Sequence, residues 1–350
     1  MDENKLGKKP DARGTAGGTG YARSLLAVLG LLSCGGLHAE DMATQANHQS
    51  LDEAWWTGPL LAASASTLPQ GHFLVEPYVY DIVTYGENDS QGHRVSTQHV
   101  NDFGSQSYIL YGITDSISGG LIPRFGYEEA SIGPSSSSPQ VGDVTLQGQY
   151  RLTRFQEGSW VPTTSVVVGE TLPAGKYDHL DQHPADGFGA GAYTTILSLY
   201  AQDYFWLPTG RILRSRLDLS YSLSSRVSLQ GVSVYGTGRG FSGHADPGNT
   251  LTVDSSVEYS LTRSWVLALD VVYEHDASTG VTGSYPAANG GTSGPVFQQG
   301  SGPSWSVGFA PALEYNWSAK MGVILGARYI PIGRNSNITV APVAAINMVF

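Results

Sequence analysis

The densest run of metal- and proton-handling side chains in this sequence is Asp178, His179, Asp181 and His183, closely followed by Asp186. Carboxylate oxygens and imidazoles so spaced could hold a divalent cation. The competing reading is a solvated acidic loop; on that reading no metal site and no cofactor is expected. Glu274, His275 and Asp276 form a second polar run, but a strand alternates sides, so the three cannot converge without a bend. Acyl-transfer chemistry would need a Ser beside a His oriented by an amide or carboxylate. His48, His72, His93, His99 and His244 fall mostly in connections or at strand ends. No mid-strand His stands beside an outward Ser, and there is no nucleophile elbow. The chain reads as a non-enzyme, with a hydrolase as the weaker alternative.

A second set of charges recurs at strand period. Arg151, Arg214, Arg216, Asp218, Asp254, Glu258, Asp270, Glu274, Glu314 and Arg328 all fall on the polar face of alternating segments. Two readings stay open for them: ion pairs that fill and rigidify a narrow barrel, or a charged constriction that screens solutes.

The segments that carry these charges are strands. In 250–262, Leu251, Val253, Val257, Tyr259 and Leu261 alternate with Thr252, Asp254, Ser256, Glu258 and Ser260. In 302–317, Trp305, Val307, Phe309, Pro311, Leu313, Tyr315 and Trp317 oppose Ser, Gly, Ala, Glu314 and Asn316. One face is apolar from end to end and the other small or polar, as lipid and lumen require. No stretch of about 20 apolar residues follows the N-terminal region, so helices cannot span a membrane here. The expected fold is all-β: a transmembrane antiparallel up-and-down barrel of about twelve strands, alternatively fourteen, with short periplasmic turns and long outer loops.

A recurring pattern of Tyr, any residue, apolar, Ser/Thr sets the expected topology. It occurs at Tyr111 (with Gly112, Ile113, Thr114), Tyr150, Tyr221, Tyr259 and Tyr315. Amphipathic rings favour a membrane interface, so each is expected before a periplasmic turn. Twelve strands follow over about 72–85, 105–114, 116–127, 142–154, 160–172, 211–223, 226–238, 249–262, 264–276, 303–317, 319–331 and 338–350. Segment 188–206 also looks like a strand and would break the even count; it belongs either to a tall outer excursion or, with a further partner, inside a fourteen-stranded barrel. Ser137 and Gly291 are then outside the cell, and Ser225 and Arg263 periplasmic.

The two ends complete the plan. Residues 24–37 form an apolar run preceded by Lys5, Lys8, Lys9, Arg13 and Arg23, so 1–39 reads as a signal peptide cleaved after Ala39. Lipidation at Cys34 is the competing reading, and Cys34 is the only cysteine. Residues 40–70 are a periplasmic leader or a plug, with Trp55 and Trp56 as plug candidates; the barrel occupies 71–350. If those rings fill the lumen, replacing them with Ala should cost about 3–5 kcal/mol each. The last strand ends on Phe350, expected to be the contact for barrel-assembly machinery. Of 19 Lys+Arg and 30 Asp+Glu, five and three lie in residues 1–39, leaving 14 and 27 and a formal charge of −13. Nothing so acidic could displace phosphate counterions, so no nucleic-acid partner is expected.

Several stretches resemble one known family. Residues 55–62 (WWTGPLLA), 67–78 (TLPQGHFLVEPY), 110–115 (LYGITD), 142–151 (GDVTLQGQYR) and 169–178 (GETLPAGKYD) are similar to the outer-membrane barrels grouped as meta-pathway phenol-degradation proteins, often labelled transporters. The resemblance covers most of the chain from Trp55 onward, and it implies a channel associated with aromatic or other hydrophobic compounds, with no catalytic motif. The expected function is passive passage of small hydrophobic or aromatic molecules across a bacterial outer membrane, with lipid, lipopolysaccharide and the solute as partners. A structural or adhesive barrel acting through its outer loops is the alternative.

Overall fold

Burial follows a period of two along the strands, but with the sign inverted from a soluble protein. On Ser304–Ser318 the residues Ser306, Ala310, Ala312, Glu314 and Asn316 are buried while Leu313, Tyr315 and Trp317 are exposed. Leucines and valines likewise point outward from strand after strand, among them Leu146, Val168, Leu197, Leu217, Val257, Leu267 and Leu325. Such a belt has no stable place in water and matches the apolar band of a lipid-embedded barrel.

The computed structural model describes residues 48–286 and 296–350. The expected signal peptide, Cys34, the first residues of the leader and Gly291 lie outside the described residues. The strands are β1 (Phe73–Asn88), β2 (Arg94–Thr114), β3 (Ile117–Ile122), β4 (Arg124–Ala130), β5 (Gln140–Val141), β6 (Val144–Thr153), β7 (Thr163–Leu172), β8 (Thr194–Trp206), β9 (Ile212–Ser224), β10 (Val227–Gln230), β11 (Ser242–Asp246), β12 (Thr250–Ser260), β13 (Trp265–Asp276), β14 (Thr279–Ser284), β15 (Val296–Ser301), β16 (Ser304–Ser318), β17 (Met321–Arg334) and β18 (Ser336–Val349).

All pairings are antiparallel, and the sheet closes because β1 pairs with both β2 and β18. Pro123, which has no N–H to give to a ladder, separates β3 from β4, and β5 and β6 are two parts of another wall strand. Counted this way the wall has twelve strands, in the order β1, β18, β17, β16, β13, β12, β9, β8, β7, β6 with β5, β3 with β4, and β2. The even, closed count leaves no edge.

The membership of that dozen differs from the sequence expectation at one place. Thr194–Trp206 is a wall strand, paired with β9 over its whole length and with β7 from Thr194 to Gln202. Residues 226–238 are not in the wall: Gly231 (φ +67°) and Gly236 (φ +76°) adopt left-handed backbone that ends the strand. The reason for the error is the Tyr221 pattern, which sits at the long-loop end of β9 rather than before a short turn. Tyr111, Tyr150, Tyr259 and Tyr315 do lie at the short-turn end, with the Trp265 ring tilted against Tyr315 at 4.6 Å. Ser225 therefore shares an end with Ser137, opposite Arg263, reversing its expected side.

Beyond the wall, β10, β11, β14 and β15 form a separate four-stranded sheet in that order. They continue β9, β12, β13 and β16 respectively, so one third of the wall rises into a second sheet after a short break in each strand. Its apolar side gathers Val227, Leu229, Phe241, Ala245 and Val281 with Ala192 from the 173–193 connection. That connection is pinned by two carboxylates. Asp143 accepts hydrogen bonds from Gly175 N and Ala190 N at 2.9 and 2.7 Å. Asp186 accepts from Ser137 N and Ser137 Oγ at 2.7 and 2.8 Å. Burial pushes the Asp186 carboxyl up, but the Ser137 donors, Lys176 and His183 outweigh it and hold the group below its ordinary value.

Candidate functional site: the barrel lumen

Residues 48–70 run as an extended strap through the barrel, and both of its ends are tied at the short-turn side. At the first end Gln49 N donates to Gly210 O, and the Gln49 amide donates to Ser260 Oγ. At the other end Gln70 N donates to Asp115 Oδ1, and Leu68 N donates to Ser118 Oγ.

Between them the strap is held by its own backbone. Thr57 N and Gly58 N donate to Glu314 Oε2 at 2.7 and 3.1 Å. Leu60 N and Ala62 N donate to the two oxygens of Asp270, each at 3.1 Å, and Ala63 N donates to Asp218 Oδ2 at 2.6 Å. In return Arg216 donates to Ala62 O at 2.8 Å, Gln149 to Ser64 O at 3.0 Å, and Ser165 Oγ to Ala65 O. An extended segment with no sheet partner has its amides satisfied by wall side chains instead.

The wall strands that hold it are specialised for close approach. Leu60 packs with Ala268, Ala310, Ala312, Ile324 and Ala345, all buried, from β13, β16, β17 and β18. A Cβ at Gly326 would come within 2.6 Å of Leu60 Cδ1, and one at Gly322 within 2.1 Å of Thr57 Oγ1. These two glycines, four apart on β17, are the seat of the strap. Behind it Glu258, fully buried, takes a two-pronged hydrogen bond from Arg214 and an ion pair from Arg216 at 3.3 Å.

The charges singled out in the sequence thus separate into distinct environments. Arg214, Arg216, Asp218, Glu258, Asp270 and Glu314 converge on the strap and on each other. Arg151 reaches the strap's far end, donating to Thr67 Oγ1 at 3.0 Å. Asp254 is buried with Oδ1 lacking a hydrogen-bond partner among the described residues. Glu274 and Arg328 lie higher on the wall and touch no strap residue through a hydrogen bond or ion pair.

Trp55 and Trp56 are half-buried near the strap's first end, and Trp56 lines the lumen cavity. Trp55 stacks 4.5 Å from the Arg263 guanidinium at a short turn, and Trp56 lies 4.4 Å from that of Arg214. The buried apolar anchors are Leu60, Ala62 and Ala65. Sequence reasoning missed Leu60 because its hold depends on hollows in other strands; the Gly322 and Gly326 spacing was the available signal.

The outer candidates do not assemble a cation site. Asp178 accepts from Gln230 N, Asp181 faces Arg239, and His183 lies 3.4 Å from Ser135 O. Among the described residues no three His, Cys, Asp or Glu gather as metal ligands. Asp276 is taken by the Thr250 and Ser304 hydroxyls, and it shares a strand face with Glu274, with His275 on the opposite face.

Two cavities flank the strap. The larger, about 560 Å³, reaches from Leu74, Ala319 and Val349 at the short-turn end to Thr171 and Ile196 near the opposite ends of β7 and β8. The smaller, about 210 Å³, lies between Leu60, Leu61 and the strands β1, β2, β4, β17 and β18.

No protein-family model matches the chain, and no curated protein matches it. Among solved structures, an outer membrane channel from Pseudomonas putida F1 aligns with a TM-score of 0.62 at 16% identity, covering 83% of this chain and 100% of that one. The NanC porin aligns more loosely, with a TM-score of 0.39 at 10% identity over 77% of this chain and 98% of that one. The Pseudomonas putida toluene transporter TodX does so with 0.33 at 12% identity over 85% and 95%. At these identities the first match shows the fold, and the two looser ones add nothing to it. The chain has the fold of an outer-membrane β-barrel. Its closed wall and apolar belt place it in the bacterial outer membrane. The phenol-degradation name implied by the sequence resemblance is carried by none of these matches.

Proposed function

We propose that this protein is an outer-membrane channel for passive passage of small hydrophobic or aromatic molecules, with residues 48–70 as the constriction that sets its bore. The observation that carries this reading is the cavity of about 560 Å³ that runs past the strap from Leu74, Ala319 and Val349 at the short-turn end to Thr171 and Ile196 near the far ends of β7 and β8. A barrel whose only task was anchoring would gain from a lumen filled by side chains; here one sector is filled and another left open. The lining of the open sector is mixed, with Tyr78, Tyr108 and Tyr200 beside Ile122, Val167 and Ile196. Aromatic rings with polar edges suit solutes that are apolar and small. Sequence resemblance to aromatic-compound channels points the same way.

The chemistry asked of the protein is selection and not catalysis. The strap narrows the lumen and the charged network behind it keeps the wall rigid. Phe350, whose exposed ring lies where Phe73 and Phe350 exchange backbone hydrogen bonds, is assigned to recognition by barrel-assembly machinery. The test is flux of a neutral aromatic such as phenol into vesicles holding the full refolded protein. Flux above that of protein-free vesicles is the expected result. A folded, inserted barrel with no added flux would shift the function to the outer sheet, whose four strands offer a surface for adhesion.

A further inference from the structure

The smaller cavity differs from the rest of the lumen in its cations. Arg328 and Arg124 both line it, Arg124 exposed at the rim shared with the larger cavity, and neither forms a side-chain hydrogen bond or ion pair with any described residue. Arg328 Nε is buried with no hydrogen-bond partner, and it lies over Gly308, where a Cβ would sit 3.6 Å from it. Asp254 and Glu274 act on Arg328 only at a distance, and Asp102 and Glu128 stand farther up the wall beyond Arg124. Elsewhere in this lumen guanidinium groups are paired: Arg214 and Arg216 with Glu258, and Arg151 with Thr67. Two unpaired guanidiniums around one hollow are therefore exceptional for this molecule. A guanidinium presents a planar fork of donors that matches a carboxylate.

The remaining lining is apolar and aromatic. Tyr78 and Tyr108 meet edge to face at 5.8 Å, and Tyr80 lies flat over Gly104, where any Cβ would strike its ring. Leu60 and Leu61 of the strap close the hollow. An apolar cavity of about 150 Å³ accepts benzene; one of about 210 Å³ has room for a ring and a carboxylate.

We propose that this hollow is a binding subsite for a small aromatic carboxylate, its carboxylate met by Arg124 and Arg328 and its ring by Tyr78, Tyr80 and Tyr108. This rests on the channel reading and narrows it, since a solute held beside the strap is a solute passing it. Equilibrium binding to the folded protein in detergent tests it without reference to flux. Benzoate should bind the wild type about tenfold or more tightly than benzyl alcohol, the gain of one charge-assisted hydrogen bond or more. In Arg124→Gln and in Arg328→Gln, each shown to be folded by the heat-dependent gel shift of the barrel, that preference should collapse toward equality. No preference in the wild type, or a preference unchanged in both variants, overturns the subsite. Equal affinity for hexanoate and benzoate overturns the aromatic assignment. Phenol flux into vesicles by the wild type is read separately: its loss with benzoate preference intact would strike the channel reading alone.

Discussion

The two sides of this lumen solve the same problem differently. Strands β9, β12, β13 and β16 turn Arg214, Arg216, Asp218, Glu258, Asp270 and Glu314 inward, and these six are buried and bound to the strap or to each other. Strands β1, β2, β6, β7 and β8 present mainly tyrosine, glutamine, serine and threonine, and the cavity lies against them. The difference shows that charge in this barrel is spent on holding an internal segment. Polar but mainly neutral side chains are what face the open path. A carboxylate removed from water needs donors close by. The strap supplies them as backbone N–H groups, which is why it adheres to the charged side.

Breaking the charged side at its centre should have the largest effect. Glu258→Ala leaves Arg214 and Arg216 buried without their shared carboxylate, a loss of about 3–5 kcal/mol for a broken buried pair. The folded barrel should then unfold at clearly lower urea, read by the gel shift. Next comes the seat of the strap: Leu60→Ala should weaken its docking by about 2–5 kcal/mol. Limited proteolysis should then cut residues 48–70 faster while the wall stays intact. Smallest is Trp56→Ala, whose ring stacks on Arg214 at a half-buried position, for about 0.5–2 kcal/mol. Strap proteolysis in this variant should rise less than for Leu60→Ala, and a larger rise would move the anchor back to the tryptophans.

Most of the wall was legible because it follows a local rule. Period-two alternation in 250–262 and 302–317 predicted strands with the correct inward face, and Asp254, Glu258 and Glu314 are buried there. What failed was non-local. Val227 and Leu229 alternate like wall residues, but they face the apolar side of the outer sheet, beside Phe241 and Val281. Thr194–Trp206 and 226–238 compete for one place in an even count, and only the pairing with β7 and β9 decides between them. Tyr221 matched the interface pattern at the opposite end of the wall, since an amphipathic ring suits either membrane face. For the lumen, side-chain type identified the charges. It could not show that Asp218, Asp270 and Glu314 take the amides of residues 57–63 as partners, because every residue except proline carries that donor.

The most direct test is the bilayer conductance of the barrel with residues 48–65 deleted, set against the full chain at equal insertion. With the strap as the constriction, removing it should raise unit conductance and phenol flux together. Unchanged conductance in a normally inserted, folded barrel would contradict the strap's role and leave the bore to be set elsewhere in the wall.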